Sequence, residues 1–497
     1  MAIICDTHEF NPKDCDDWER EQIYNGLDCC ITFELLEVLR KKLDNATSAT
    51  YDFSRKLQGP VLEMRVRGVL IDQDRRLEVL DSYYDQQSWH EEIIERFVRE
   101  GCGQVGFNWR SLNHLKELFY ERLGITPIRN RGTVTVDHNA LKKMEDYDFA
   151  RPIITQLLQL RDIAKKVSVL KTEIDRDGRI RTSYNIGGTN TGRLSSSLSE
   201  FGTGGNLQNI TDQLRSVLIA DEGMKFAYLD AEQGESRIVG IIEWLLFGDP
   251  TYIDACESGD LHTYVSKLCE PGLPWPGNPE ADKKFAESYE YYRHYPIRKL
   301  CKSIGHGSNY RGSPATLHKL YKVPLAAITK FQKSYFKAFP AHIKWWHRVE
   351  EELRDTGTLT TLTGRKRQFW GRRSDPDVVN EAIAYDPQGS LADVVNNGML
   401  QVWNAKVVQI MLHNHDAIVV QYPDQKEEKI IPTVLKLLRY PMTVRGRQFI
   451  IPYGVKTGWN FGEYNETTNP HGLKEWKGKD DRGRPEKIHF LDRPIHS

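Results

Sequence analysis

Apolar positions along this chain change their spacing near residue 180, and the two parts predict different structure. From Asp52 to Gly68 they recur at helical spacing and a glycine ends the run, which predicts an amphipathic helix. Val69-Leu70-Ile71-Asp72 then reads as a short extended piece. Leu77–Arg99 and Leu112–Leu123 predict two further helices, with Ser111 placed to cap the second and Gly124 to stop it. Pro152 to Ile174 predicts a long helix with Pro at its start and Asp177-Gly178 after its end. The stretch 52–180 is thus helical and rather polar, the pattern of an elongated arm. Past Arg179 the periodicity gives way to turns and alternation. Asn185–Gly205 is rich in Gly, Ser, Thr and Asn, and Phe226–Asp230 predicts a strand running into a carboxylate. Gln409–Leu412 and Ala417–Tyr422 predict two strands joined by His413-Asn414-His415-Asp416, a β-hairpin with a carboxylate at its tip. The polar, mixed-charge stretch from about 468 reads as a surface tail.

Composition narrows the class. A chain of 497 residues has room for about three domains. With 39 % apolar and 28 % charged residues it is not a disordered chain. Its 68 Lys and Arg against 69 Asp and Glu exclude a uniformly basic coat but not a local basic groove. No run approaches the roughly 18 apolar residues of a membrane span. The start, MAIICDTHEFNPKD, lacks the basic and apolar regions of a secretory signal. Eight scattered cysteines with no CxxC pair argue against zinc or a disulfide framework, and for reduced thiols in a cytosol.

Three constellations carry candidate chemistry. Asp230 and Asp416 each stand at the end of an apolar strand, where a charge is costly unless compensated. If the strands are neighbours, the carboxylates converge and a divalent cation relieves their repulsion. Mg²⁺ suits such a site, since it takes oxygen ligands and is often held by one or two carboxylates plus substrate phosphates. Two unrelated loop aspartates would give the same spacing. Second, Arg298, Lys302, His306 and Tyr310 recur every four residues, so a helix drifts only about 120° across all four and they share a face. Two cations followed by two rings match a triphosphate, a sugar and a base; a solvated basic face over packed rings matches as well. The surrounding stretch 291–322 holds seven Lys or Arg, five Tyr and no acid, which favours phosphate binding. Gly305, Gly307 and Gly312 there point to close approach by another group or to a helix able to move. Third, Thr191-Gly192-Arg193-Leu194-Ser195-Ser196 and Asn206-Leu207-Gln208-Asn209-Ile210 offer hydroxyl, amide and guanidinium donors, suited to a phosphodiester backbone or to an ordinary polar loop.

Taken in order, these residues resemble the A-family DNA polymerases, from about 52 to 465. Four segments carry the resemblance: TGRLSS with NLQNI, DAEQGESR (230–237), RKLCKSIGHGSNYRG (298–312) and HDA (415–417). PQGSLAD (387–393), DLHT (260–263) and KTGWNFGE (456–463) support it. The resemblance implies an α+β right-hand fold, with an antiparallel palm sheet and helical fingers and thumb, that transfers nucleotides from dNTPs to a primer 3′ end. It implies that Asp230, Asp416 and the Ala231 carbonyl hold two Mg²⁺ ions, with Mn²⁺ as the alternative. Arg298, Lys302 and His262 would meet the triphosphate, with Lys302 as proton donor to pyrophosphate. Glu235 would be the steric gate against a ribose 2′-hydroxyl, with Gln233, His306 and Tyr310 completing the dNTP site. Arg193, Asn206, Gln208, Gln388 and His415 would touch DNA at the primer terminus and minor groove, whose degenerate code permits a test of pair shape without reading sequence.

The same comparison sets the expected domains: an exonuclease remnant over 1–51, thumb 52–180, palm 181–240 and 360–467, fingers 241–359 and tail 468–497. Tyr24-Asn25-Gly26-Leu27-Asp28 resembles the last motif of the family's 3′→5′ exonuclease, while Asp6 and Glu9 leave no room for the earlier ones. No proofreading is expected in this chain, with an exonuclease supplied by a separate polypeptide as the partner to look for. Primer-template DNA and dNTPs are the other partners; the expected form is a monomer without membrane contact. The location is cytoplasmic, the host's cytoplasm if the abbreviated form reflects a phage source. Three departures stand out. His306 replaces Phe or Tyr, which predicts weak discrimination at the sugar 3′ position. Ala417 replaces the usual Glu, leaving the metal to two aspartates. The Leu198–Gly205 linker is longer than usual. A nuclease using the same two-metal chemistry and a silent DNA-binding scaffold are the alternatives. The Arg298/Lys302 pair argues against the first, and retention of Asp230, Asp416 and Lys302 argues against the second.

Overall fold

The computed structural model describes residues 14–130, 132–292 and 295–478. Asp6, Glu9, Arg293 and the tail beyond 478 lie outside the described residues. Near the centre is a five-stranded antiparallel sheet. Its strands are β1 (Met224–Ala231), β2 (Gln409–Asn414), β3 (Ala417–Pro423), β4 (Tyr453–Gly458) and β5 (Lys474–Glu475), in spatial order β2-β3-β1-β4-β5. The apolar runs are continuous rather than alternating because both sheet faces are covered. Ala227, Leu229, Ile418 and Val420 enter the large core shared with the following helices. Phe226, Met411, Leu412 and Val419 enter a second core under residues 69–84 and 163–220.

Both predicted hairpin strands form, and the first is longer than expected. His413 and Asn414 belong to β2, so the tip is the pair His415-Asp416, with Asn414 facing Ala417. His415 turns the chain at φ 55°, a left-handed conformation that costs a residue with a Cβ. After β1 the chain reverses through Gln233, also left-handed, into α1 (Gly234–Phe247). Next come α2 (Leu261–Cys269), α3 (Ile297–Asn309), α4 (Leu325–Ala338), α5 (Ala341–Thr356) and α6 (Pro376–Ala405). The predicted two-sided character of α3 is present. Ile297, Leu300, Cys301, Ile304, Gly305 and Ser308 are buried, which leaves Arg298, Lys302 and His306 on the opposite side. Gly307 within α3 and Gly312 just after it reflect close approach: a Cβ on Gly312 would lie 2.7 Å from the Gly307 carbonyl oxygen.

In the N-terminal part, side chains the periodicity overlooked set the helix boundaries. Asp44 caps Asn45–Lys56 and Asp72 caps Gln73–Arg96, accepting from the Arg75 N–H at 2.9 Å, so both helices start earlier than predicted. The run predicted from Asp52 breaks at Leu57 and resumes as Gln58–Arg67, ending at Gly68 with φ 63°. Ser111 caps Leu112–Lys116 as expected, and Gly124 takes φ 65°. Gln73–Arg96 packs along Arg151–Leu170, and residues between 94 and 160 close a core of their own. Val69–Ile71 pairs with both Arg179–Ile180 and Leu218–Ile219, tying this part to the central sheet's neighbourhood. The helix Asp17–Arg40, which carries Tyr24 and Asp28, buries none of its residues.

Candidate active site

Strand register brings the two aspartates together. Asp230 pairs with Ala417 across β1 and β3, and the Ala231 N–H donates to the Asp416 carbonyl at 3.0 Å, so both acidic side chains leave the same end of adjacent strands. Burial pushes Asp230 up to about 6, and the Asp416 charge adds to the rise. The Tyr228 hydroxyl, which donates to Asp230 Oδ1 at 3.3 Å, and the Lys302 charge oppose it. Burial likewise raises Asp416, against the pull of Arg193. A site that penalises two adjacent carboxylates, with oxygen donors only, fits a divalent cation. Among the described residues no group of three or more His, Cys, Asp or Glu is placed to hold a metal. Two carboxylates would leave the rest of such an ion's shell to water and substrate oxygens, which oxygen-preferring divalent cations accept.

Glu235, in the first turn of α1, joins the loop to α3. Its Oε1 accepts from Arg193 Nη2 and its Oε2 accepts from the Tyr310 hydroxyl at 2.5 Å. Arg193 Nη2 also reaches Asp416 Oδ1 at 3.1 Å, so one guanidinium bridges two carboxylates. His306 Nε2 lies 3.9 Å from Glu235 Oε2, and its ring meets the Tyr310 ring edge-on at 5.2 Å. At the other end of α3, Arg298 is held by Asp260 through two parallel bonds of 2.6 and 2.7 Å. Burial would raise Asp260, but the Arg298 fork outweighs it and holds the carboxyl down to about 2. His262 is pushed down to about 4 by burial, with the Arg298, Lys302 and His306 charges adding to the effect. Asp230, Asp416, Glu235, Arg193, Lys302, His306, Tyr310, Arg298 and His262 thus form one connected cluster.

The remaining predicted residues support it from around the edge. The Gln233 amide donates to the Gly259 carbonyl at 3.2 Å. Gln388 sits in α6 beside Gly389, where an added Cβ would lie 3.3 Å from the Thr191 carbonyl oxygen. Asn206 accepts from Ser196 Oγ at 2.5 Å and from the Gln208 N–H at 3.1 Å, closing its own turn. Gln208, expected to contact DNA, is only 6 % exposed, and its amide donates to the Leu194 and His413 carbonyls at 3.1 and 3.2 Å. It braces the loop against β2 because those buried carbonyls need a donor. Two residues escaped the sequence reading. Tyr228 lies two positions before Asp230, on the same strand face, which period two alone could have flagged. Asp260 opens the DLHT segment and caps α2, the usual place for an aspartate, so its second partner, Arg298, left no local trace.

Comparisons with known proteins give the family and the fold. Residues 78–463 match DNA polymerase family A, and the chain belongs to that family. It is 26 % identical over 418 residues to the thermostable DNA polymerase I of Thermus filiformis, covering 79 % of this chain and 46 % of that protein. Against DNA polymerase I of Chloroflexus aurantiacus it is 26 % identical over 479 residues, 90 % of this chain and 47 % of the other. The chain thus spans about half the length of these relatives. A solved structure, the POL domain of Pol1 from M. smegmatis in complex with DNA primer-template and dNTP, superposes with a TM-score of 0.66 at 21 % identity. It covers 82 % of this chain and 69 % of that one. The α+β polymerase fold expected from the motifs is therefore the fold of this chain.

Proposed function

We propose that this chain is a DNA-directed DNA polymerase that adds dNTPs to a primer 3′ end by two-metal nucleotidyl transfer. The observation that carries this is the meeting of Asp230 and Asp416 on paired strands beside the polar face of α3. We read the chain as thumb 52–180, palm 181–240 and 360–467 and fingers 241–359; the surface tail expected over 468–497 is corrected at its start, because Lys474–Glu475 pairs with β4 and the flanking Leu473 and Trp476 are buried. Asp230, Asp416 and the Ala231 carbonyl would hold two Mg²⁺ ions, or Mn²⁺ in their place, whose charge would supply activation of the primer 3′-hydroxyl and neutralisation of the leaving pyrophosphate. Arg298 and Lys302 grip the triphosphate, and Lys302 hands pyrophosphate its proton. His262, neutral at physiological pH, contributes an N–H rather than a charge. Glu235, held by Arg193 and Tyr310, blocks a ribose 2′-hydroxyl, and His306 meets the deoxyribose with weak discrimination at its 3′ position. Arg193, whose Nε is buried without a partner, touches the primer terminus together with Gln388 and His415. Asn206 and Gln208 hold the loop that presents it.

We propose further that this chain does not proofread, since Tyr24 and Asp28 are both exposed on a helix that buries none of its residues. A separately encoded 3′→5′ exonuclease is the partner this implies. Mixing the protein with primer-template, dNTPs and Mg²⁺ should release pyrophosphate. Asp416→Asn should abolish release while DNA binding persists. Wild-type protein that extends no primer, or an Asp416→Asn protein that still does, refutes the proposal.

A further inference from the structure

In the core beneath α3 lies a polar cluster that the proposed reaction does not use. Glu243 on α1 and His342 on α5 are 1 % and 0 % exposed, and Glu243 Oε1 stands 2.6 Å from His342 Nδ1. By hydrogen-bond geometry neither atom has a partner, so the two are joined by close approach alone. On its far side His342 Nε2 meets Asn309 Oδ1 at 3.0 Å. That oxygen also accepts from the Tyr335 hydroxyl at 2.7 Å, and the Asn309 amide donates to the Tyr252 hydroxyl at 3.0 Å. The Trp346 indole N–H donates to the Asn309 carbonyl at 2.9 Å. Four side chains from three helices therefore converge on one buried asparagine, the last residue of α3.

The hydrogen-bond directions constrain the protons. Because Asn309 donates to Tyr252, its Oδ1 is the acceptor, and His342 Nε2 carries a hydrogen. The short contact on the other side then requires one more proton, on His342 Nδ1 or on Glu243. The pair is neutral overall in either case, which lets it sit inside an aromatic shell of Tyr252, Tyr335 and Phe339. A buried pair of this kind adds little stability over apolar residues of equal volume, whereas its directional bonds fix position. The position fixed here matters to the site. Tyr310 follows Asn309 directly and bonds Glu235. Glu235 and Glu243 both belong to α1, eight residues and about 12 Å apart along its axis. The C-terminal end of α3 is thus tied to α1 twice, once at the site and once in the core.

We infer that Glu243, His342 and Asn309 are positioning residues that pin this end of α3, so that Tyr310 and His306 stand at fixed points beside Glu235 and hold the incoming deoxynucleoside triphosphate. The inference rests on the polymerase reading, and the test separates the two. A Glu243→Leu/His342→Leu protein keeps the volume apolar and loses the bond to Asn309. Glu243→Gln keeps it, because the new amide can donate to a His342 Nδ1 that carries no proton. In single-nucleotide primer extension the double variant should raise KM for dNTP roughly tenfold, a modest cost for a misplaced contact. Primer-template affinity should be unchanged, and Glu243→Gln should behave as wild type. Hydrogen exchange of the backbone amides of 306–310, which needs no turnover, should quicken in the double variant and not in Glu243→Gln. A double variant with wild-type KM, or with wild-type exchange in this segment, overturns the inference. A wild-type protein that extends no primer overturns the polymerase reading alone, and the exchange result still decides the pin. Should the double variant fail to fold, His342→Gln, which can keep one of the two bonds but not both, takes its place with the same outcomes.

Discussion

Neutralising Glu235 should make the protein demand more Mg²⁺, because of what Arg193 then does. In the structure Arg193 Nη2 is shared between Glu235 Oε1 and Asp416 Oδ1, and the three side chains are 20 %, 13 % and 31 % exposed. Two unit charges about 4 Å apart attract by about 4 kcal/mol at an effective dielectric constant near 20. Glu235→Gln removes one of the two anions and leaves the guanidinium to Asp416. If about a third of that attraction is redistributed, Asp416 gains roughly 1.4 kcal/mol of pairing with Arg193, and a cation must overcome it. That corresponds to about a tenfold higher half-saturating Mg²⁺ concentration. Glutamine keeps an acceptor for the Tyr310 hydroxyl, so the effect is one of charge more than of packing. The assay is primer extension at saturating dNTP, titrated with MgCl₂, for wild type, Glu235→Gln and the double variant Arg193→Ala/Glu235→Gln. The double variant should return toward the wild-type metal requirement even though it is slower. A Glu235→Gln protein with an unchanged midpoint would refute the reasoning, whatever happens to its rate.

Other outcomes follow from single contacts. Mg²⁺ at ten times its dissociation constant should stabilise the wild-type fold by about 1.4 kcal/mol. Asp416→Asn should lose this gain, and an equal thermal shift in both proteins would show that the cation binds elsewhere. Burial raises the Asp386 carboxyl to about 6, although it accepts from the Leu362 N–H and the Ser390 hydroxyl, each at 2.7 Å. The folded state therefore holds this proton more tightly than the unfolded chain. Its contribution is full below about pH 4 and is lost as pH rises through about 6, a difference of about 2–3 kcal/mol. Asp386→Asn has no such loss and should gain on wild type between about pH 4 and pH 7, read from melting temperatures; parallel curves would refute it. Gly240 faces Ile253 so closely that an added Cβ would lie 2.8 Å from both the Ile253 Cβ and its backbone nitrogen. Gly240→Ala should therefore cost about 1–3 kcal/mol despite alanine's better helix propensity, and an unchanged melting temperature would show slack between these helices.

Much of the site was legible because its parts are local. An apolar run that stops on a carboxylate marks a strand end, and this located Asp230 and Asp416 before any pairing was known. The four-residue rhythm was legible from Arg298 to His306 because the intervening Leu300, Cys301 and Ile304 fill the other side of the helix, while Tyr310, expected on the same face, falls just past the helix end. What was missed falls into two kinds. Helix starts moved where a single capping aspartate, Asp44 or Asp72, decided the boundary in place of apolar spacing. Gln208 looked like a donor on an open loop, but the carbonyls it serves, on Leu194 and His413, become its neighbours only after β2 is in place.

The dependence on distant partners that hid the role of Gln208 is more general and extends to charge. Arg193, Glu235 and Asp416 come from a loop, a helix start and a hairpin tip, and Asp260 and Arg298 from two separate helices. Glu243 stands alone in the apolar run IVGIIEWLLF, where spacing gives it a buried place and nothing in the run names its partner. A buried charge must find compensation, so each such residue announces that a partner exists. Which partner it is depends on contacts between elements far apart in the chain, and no periodicity encodes those. The sequence could therefore show that Glu243 and Asp230 needed partners, while only the packed helices and the strand register show that one meets a histidine and the other a second aspartate.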